Sequence, residues 1–191
     1  MRALLLLLPF ALAACNECSE LAELAATVEL GTGETSFGSV TDGDTLTAEW
    51  GTQGGMHVWT AVRTTGLATS PPPGPGGLGD AHPEVEVALT RPEGSVASFG
   101  PSRFQLRSAN GGGEAVGLTV QFFVSAWDQP WLFPDDFDPD NAQGDDWDDA
   151  WAHAGEDLAT QESTLTARVT DRCGVEVEDT RSILVAGFTG F

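Results

Sequence analysis

An acidic segment between residues 135 and 149 carries the side chains whose types and spacing most directly suggest chemistry. It contains no Lys or Arg, and three of its aspartates, Asp136, Asp138 and Asp140, lie at every second position. A hard cation such as calcium takes about six to eight oxygen ligands, and alternate side chains of a loop can converge on one ion. The candidate ligands for a structural calcium ion are therefore Asp136, Asp138, Asp140, Asp145 and Asp148.

The start of this run resembles an EF-hand or a thrombospondin-type calcium loop. Counted from Asp136, an EF-hand would have Gly sixth and Glu twelfth, where this chain has Asn141 and Trp147. In the thrombospondin-type spacing, Asp145 and Asp148 come one place late. The alternative is a solvated acidic loop without an ion, and both interpretations remain open.

Two tryptophan pairs, Trp127 with Trp131 and Trp147 with Trp151, accompany the acidic run. Residues 145–158 have the composition of a short helix whose first turn is acidic, which the helix dipole favours. Trp147 and Trp151 would then share one helix face. Exposed, these side chains could stack on sugar rings or anchor a partner. Burial that docks the segment onto the rest of the protein is the favoured interpretation.

The histidines offer only incomplete metal sites. Asp149 and His153 are four residues apart on the predicted helix, but two ligands without a third do not define a zinc site. Met56 beside His57 suggests copper, and one such pair falls short of a copper set. His57 is instead expected to be a strand residue packed beside Trp59.

Signatures of catalysis are few. There is no Gly-x-Ser-x-Gly nucleophile motif, and the chain has no Lys for a phosphate-binding loop. Paired carboxylates can support glycoside hydrolysis, but among 29 acidic residues some pair will lie at any chosen distance. A protein without catalytic activity is therefore expected, and a hydrolase with an acidic site is the least favoured alternative.

The first residues have the pattern of an export signal that ends at a cysteine. Arg2 precedes an apolar run over residues 3–12, which is too short to span a bilayer and fits the core of a secretory signal. The run ends in Leu12-Ala13-Ala14-Cys15, which resembles the bacterial lipobox. In that family the cysteine thiol takes a diacylglycerol, the peptide is cut just before it, and the new amino terminus is acylated.

The resemblance implies a signal peptide over residues 1–14 and a lipoprotein of the bacterial cell envelope, held in the membrane by acyl chains such as palmitate on Cys15. More than one acyl chain makes such attachment stable. Asn16 follows the lipid site, where an Asp would resemble an inner-membrane retention signal, so the outer membrane is favoured. The alternative is an ordinary secreted protein that is cleaved near Ala14.

The strongly negative net charge of the chain limits the classes of ligand and partner that it can bind. The chain has 29 Asp and Glu against 8 Arg and no Lys, which disfavours nucleic acid and anionic headgroups as ligands. Cations or basic protein partners fit better, and a glycan partner is not excluded by charge. The plain interpretation of the acidity is a solvated, self-repelling surface. No cofactor is expected apart from the candidate calcium ion.

Lipidation of Cys15 would leave Cys18 and Cys173 as an even pair in an oxidising compartment. We therefore predict a disulfide between them. It would close a loop of roughly 155 residues, for which the chain-entropy model gives about 5 kcal/mol as an upper figure. The alternative is a redox pair of Cys15 and Cys18, which lipidation of Cys15 removes.

Alternating apolar and polar residues predict a series of short β-strands separated by Gly- and Pro-rich turns. The clearest of these predicted strands lie at residues 45–50, 85–90, 103–107, 116–124 and 165–170. The longest apolar stripe is predicted to be continuous and consists of Val116, Leu118, Val120, Phe122 and Val124. The stretch over residues 165–185 resembles the closing hairpin of bacterial Ig-like and PKD-like domains, and residues 53–59 look like a stretch of uncharacterised secreted lipoproteins. The resemblance implies an all-β, Ig-like antiparallel β-sandwich, mainly a spacer or binding module. The expected organisation is a tether over residues 15–25 and a single domain over residues 26–191. Loop insertions are expected at residues 65–83, rich in Pro and Gly, and at residues 126–161, acidic and Trp-rich with a short helix.

Overall fold

The structure is a computed structural model that describes residues 18, 24–50, 56–68, 82–109, 112–122 and 130–187. Across these residues the chain is mostly β-strand with one α-helix. The strands are β1 Thr27–Thr32, β2 Gly38–Ser39, β3 Asp44–Trp50, β4 Met56–Thr65, β5 Glu84–Arg91, β6 Gly94–Arg103, β7 Arg107–Ala109, β8 Gly112–Phe122, β9 Ser163–Thr170 and β10 Glu176–Ala186. A 3-10 turn at Pro130–Leu132 and helix α1, Asp145–Thr160, lie between β8 and β9.

Seven of the strands close into a barrel. Their order around the ring is β4-β3-β10-β9-β5-β6-β8, and β8 pairs with β4 to complete it. A ring with an odd number of strands cannot be antiparallel throughout, so one neighbouring pair must be parallel. That pair is β3 with β10, where Asp44 aligns with Ile183 and Thr47 with Ala186. Strand β1 pairs with the second half of β4, and the short β2 and β7 lie at the edges.

The expected β-rich fold is confirmed, but the Ig-like sandwich is wrong. The closing hairpin itself is present, since β9 and β10 pair antiparallel from Thr170 with Glu176 to Ser163 with Ile183. A sandwich would stack two separate sheets. Here the pairing of β4 with β8 joins the sheet into one ring instead. Alternation along a strand indicates only which side faces a core, and both architectures satisfy it.

Inward-facing positions alternate as the sequence predicts along β3, β5 and β9. The side chains of these strands that line the core are at most 5% exposed: Leu46, Ala48, Val85, Val87, Leu89, Leu165, Ala167 and Val169. The polar residues between them face outward. The interior of the barrel is therefore filled by packed apolar side chains.

Strand β8 departs from the predicted continuous stripe. Before Gly117 the odd-numbered residue Ala115 is buried and Val116 is not. After Gly117 the even-numbered residues Leu118, Val120 and Phe122 face the core. Gly117 has a φ of 70°, and its N–H donates to the Gly33 carbonyl at 2.9 Å. This irregularity, a β-bulge, exchanges the two faces of the strand.

The strand predicted around residues 103–107 is also wrong. Strand β6 ends at Arg103, the Phe104 N–H donates to the Pro83 carbonyl at 2.9 Å, and β7 begins only at Arg107. Leu106 is nonetheless buried, at 4% exposed. The apolar residues of this stretch enter the core from a connecting segment.

The predicted disulfide joins Cys18 to Cys173, with a distance of 5.6 Å between the two Cα atoms. Cys173 lies in the turn between β9 and β10, and the strand registers place Glu84 and Arg103 beside Thr170 at the same end of the barrel. We call this the Cys173 end.

The opposite end of the barrel holds the turn between β5 and β6. The C-terminus of helix α1 lies at this end. The side chain of Arg91, at the end of β5, contacts Asp157 in the last turn of the helix and the carbonyl of Gln161 just beyond it. Trp131 approaches Gly94 at the same place. We call this the helix end.

Several expectations concern residues outside the described ranges. These are the signal sequence, the lipid site at Cys15, the side chain of Trp127 and most of the loop over residues 65–83. Among the residues that are described, no helix has both the length and the apolar character needed to cross a bilayer.

Candidate functional site

An acidic cleft opens between the segment over residues 134–142 and the first turns of α1. Its volume is about 430 Å³, which is within the range of small-ligand pockets. Its walls are formed by Pro134, Asp136, Phe137, Asp138, Asn141, Ala142, Asp146, Asp149 and Ala150. Four carboxylates and one amide thus face a common space.

The loop side of the cleft is organised around Asp138. One carboxylate oxygen of Asp138 accepts from the Asn141 side-chain amide at 2.7 Å, and the other accepts from the Asp140 N–H at 3.0 Å. The backbone carbonyl of Asp138 accepts from the Ala142 N–H at 2.9 Å. The Asn141 amide, followed by the Asp140 N–H, lowers the pKa of the exposed Asp138 carboxyl below its usual range.

The helix side is organised by the start of α1. The N–H of Gln143, just before the helix, donates to the Asp146 carboxylate in the first turn at 3.0 Å. Asp145, Asp146 and Asp148 all lie in the first turn, where the positive end of the helix dipole stabilises negative charge. Part of the acidity is therefore explained by helix initiation alone.

The predicted calcium ligands are only partly brought together. Asp136 and Asp138 line the cleft, whereas Asp145 and Asp148 do not, and their places are taken by Asp146 and Asp149. Asp140 contributes its N–H to the loop. Within the described ranges, no group of three or more His, Cys, Asp or Glu side chains has the geometry to hold a metal ion. A bound cation would therefore require the cleft carboxylates to move closer together.

The predicted helix and its shared tryptophan face are present. The Trp147 ring meets Phe137 edge to face at 4.9 Å between centroids, and Trp151 meets Phe133 in the same way at 5.4 Å. Both tryptophans are half-buried against the core. The expected docking role is therefore favoured over a fully exposed aromatic platform, and these contacts fix the helix wall of the cleft to its loop wall.

Trp131 lies apart from that pair. It is half-buried, and its Nε1 comes within 3.7 Å of the point where a side chain on Gly94 would begin. It therefore packs over the turn between β5 and β6. Trp127, the fourth candidate, is outside the described residues.

The structure separates the histidine candidates. Met56 is buried in the barrel interior at 2% exposed, and the following residue, His57, points to the opposite face of β4, so the two do not converge on one ion. As expected, the His57 ring packs edge to face on Trp59 at 4.7 Å. His153 is exposed on α1, and no third ligand joins it and Asp149 within the described part of the chain.

The end of α1 is held by a buried cation that sequence reasoning did not single out. The Arg91 side chain is 5% exposed and pairs with the Asp157 carboxylate. Its Nη2 donates to the carbonyls of Asp157 and Gln161, each at 3.0 Å, and its Nε donates to the Ser163 hydroxyl at 3.1 Å. A cation is favoured at a helix C-terminus, where carbonyls lack partners. The sequence offered one signal for this contact, namely a single Arg at the end of the alternating apolar pattern of β5.

The cleft is suited to positively charged ligands. Its carboxylates are exposed, and no Lys or Arg lies among residues 135–162 to neutralise them. Acid catalysis would need a carboxyl whose pKa is raised by an apolar setting. The pKa of Asp138 is shifted in the opposite direction. Comparison with protein-family models gave no match, and comparisons with curated proteins and with solved structures gave none either.

Proposed function

We propose that this chain is a lipid-anchored protein of the bacterial envelope, attached through Cys15 and located at the outer membrane. Its barrel has a binding or structural role without catalytic activity. The partner is a protein or a glycan, or a cation held in the acidic cleft.

The pairing of the cysteines supports this proposal most directly. The disulfide takes Cys18 and Cys173, and the chain has three cysteines, so Cys15 is the remaining thiol. Disulfides persist in exported proteins and are rare in the reducing cytosol. An exported chain with a single remaining cysteine, directly after Leu12-Ala13-Ala14, is what lipid attachment at Cys15 requires.

The absence of catalysis is proposed on the properties of the cleft. The hydrogen-bond donors to Asp138 lower its pKa, which favours the carboxylate and opposes a role as proton donor. The other cleft carboxylates are exposed to solvent. An exposed acidic surface of this kind favours attraction of cations over acid–base chemistry.

Metabolic labelling with palmitate in a bacterial host tests the anchor. The full-length chain should be labelled and should sediment with membranes, and the Cys15→Ser variant should lose both properties. The matched control is Cys18→Ser with Cys173→Ser, which keeps Cys15 and should stay labelled. Equal labelling of the full-length chain and the Cys15→Ser variant would contradict the proposal. Separation of inner and outer membranes then tests the localisation.

A second candidate function is a calcium-stabilised adhesion or carbohydrate-binding module. The observation in its favour is that Asp136, Asp138, Asp146 and Asp149 line one cleft with the Asn141 amide. Calcium prefers such oxygen ligands, and a bound ion would draw the loop onto the helix.

A calcium titration of a soluble Cys15→Ser chain tests this candidate by thermal unfolding. Binding to the folded state should raise the melting temperature in a saturable manner. Asp146→Asn with Asp149→Asn should abolish the rise, whereas Asp145→Asn with Asp148→Asn, which removes the same charge outside the cleft, should preserve it. No response at millimolar calcium would reject this candidate.

A further inference from the structure

We infer that the disulfide between Cys18 and Cys173 fixes the orientation of the barrel on the membrane, with the Cys173 end against the bilayer and the acidic cleft turned away from it. This inference rests on the proposed lipid anchor. It assigns the Cys173 end as a membrane-facing surface and the cleft as the surface open to partners in the aqueous space.

The length of the tether is the first argument. Cys15 and Cys18 are three positions apart, and a chain of this length spans at most about 10 Å. Without the disulfide, the lipid would be joined to the barrel only at Thr27, twelve residues away, and that length of chain spans up to about 40 Å. The disulfide therefore shortens the tether between the lipid and the barrel, and it attaches this tether to the β9–β10 turn.

The turn that receives the tether is firmly joined to the barrel. The buried Asp171 carboxylate accepts from the Cys173 N–H at 2.8 Å and from the Val175 N–H at 2.9 Å. Its other oxygen accepts from the Ala68 N–H at 2.9 Å, beyond the end of β4. A short tether attached here positions the whole barrel, because Asp171 bonds the turn within itself and also to the segment that follows β4.

The distribution of charge over the barrel favours the same orientation on the membrane. The Cys173 end carries most of the arginines of the described chain, and they are interleaved with acidic residues, since Arg63 pairs with Glu114 and Arg168 pairs with Glu178. These arginines are Arg63, Arg103, Arg107, Arg168 and Arg172. The segment over residues 135–162, at the helix end, has eleven acidic residues and no Lys or Arg. A bilayer with anionic lipids repels the second end far more than the first.

The two ends are far enough apart for this difference to matter. Strand β5 has 8 residues and runs from the Cys173 end to the helix end. At about 3.3 Å per residue it spans about 25 Å, which exceeds the screening length of about 8–10 Å at physiological ionic strength. With the Cys173 end at the bilayer, the cleft lies outside the range of the surface potential and stays accessible to cationic partners.

Short-range quenching by nitroxide headgroup lipids tests the orientation. The lipidated chain is reconstituted into phosphatidylethanolamine and phosphatidylglycerol vesicles that carry a small fraction of such lipids. A fluorophore is attached to a single introduced thiol, at Ser102→Cys on the Cys173 end or at Glu93→Cys on the helix end, both exposed. Ser108→Cys is a second reporter for the Cys173 end, and thermal unfolding confirms that each labelled variant is folded.

The expected result is quenching at least about threefold stronger at residue 102 than at residue 93, because about 25 Å of barrel separates them. In a Cys18→Ser, Cys173→Ser background, which keeps the lipid and lengthens the tether, this ratio should fall. Equal quenching at both positions of the disulfide-bonded, vesicle-bound protein would overturn the orientation while leaving the anchor intact. Failure of the protein to float with vesicles, together with an unmodified Cys15 mass, would overturn the proposed anchor and the orientation with it.

Discussion

Arg91 and Asp157 form an ion pair that joins the end of β5 to the last turn of α1. The arginine is almost completely buried, and it also satisfies two carbonyls and one hydroxyl around the helix C-terminus. The helix supplies one wall of the acidic cleft, so this pair links the barrel to the candidate site. The position of the cleft depends on an interaction at the other end of the helix.

Replacement of Arg91 should be costly. Arg91→Ala removes the cationic partner of the Asp157 carboxylate and the side-chain donor to the Gln161 carbonyl, and removal of one partner from a buried pair costs about 3 kcal/mol of unfolding free energy. Urea unfolding measures the change. Arg168→Ala is the control, because Arg168 is also surrounded by acidic partners but is exposed. A similar loss of stability in both variants would show that burial of Arg91 is not the cause.

Asp171 offers a prediction that separates its local and its long-range hydrogen bonds. Asp171→Asn keeps one carbonyl oxygen for the Cys173 and Val175 N–H groups but places an amide NH₂ opposite the Ala68 N–H. Leaving a buried donor without an acceptor costs about 1–3 kcal/mol. Amide hydrogen exchange should therefore accelerate at residue 68 more than at residue 175. Unchanged exchange at residue 68 would contradict the assigned role of the carboxylate.

Gly117 should be more sensitive to substitution than Gly174, although the two glycines have similar φ angles. A Cβ on Gly117 would lie 2.7 Å from the Glu34 carbonyl oxygen, whereas a Cβ on Gly174 would meet nothing within 4 Å. Both residues have positive φ values, so alanine at either position costs about 1–2 kcal/mol of conformational energy. Gly117→Ala should lose this amount and a further steric contribution. Equal unfolding free energies for the two variants would show that the bulge has room for a side chain.

The local features of the fold were readable from the sequence, but its closure was not. Alternation identifies the inner faces of β5 and β9 because it depends on neighbouring residues. Closure depends on pairing of β4 with β8, which are distant in sequence, and no local pattern encodes it. Strand β6 was missed because Gly100 and Pro101 interrupt its apolar pattern.

The same division applies to the site. The helix was predicted because its composition and acidic first turn are local properties, and the structure places it at Asp145–Thr160. Which carboxylates face the cleft depends on the docked face of the helix. Burial of Ala150, Ala154 and Leu158 fixes that face and directs Asp146 and Asp149, rather than Asp145 and Asp148, toward the loop. This apolar spacing is visible in the sequence once the helix is known to dock.

Asp138 yields a prediction for the loop wall of the cleft. Because the Asn141 amide and the Asp140 N–H lower its pKa in the folded protein, its carboxylate contributes stability above the pH at which the unfolded carboxyl titrates. That contribution should be lost as the pH falls through the lower folded pKa. Asn141→Ala removes the main donor and should raise the pKa of Asp138, as measured by carbon-13 NMR of its carboxyl. Gln143→Ala leaves both donors in place and should not, and equal titration of Asp138 in the two variants would exclude Asn141 as the cause.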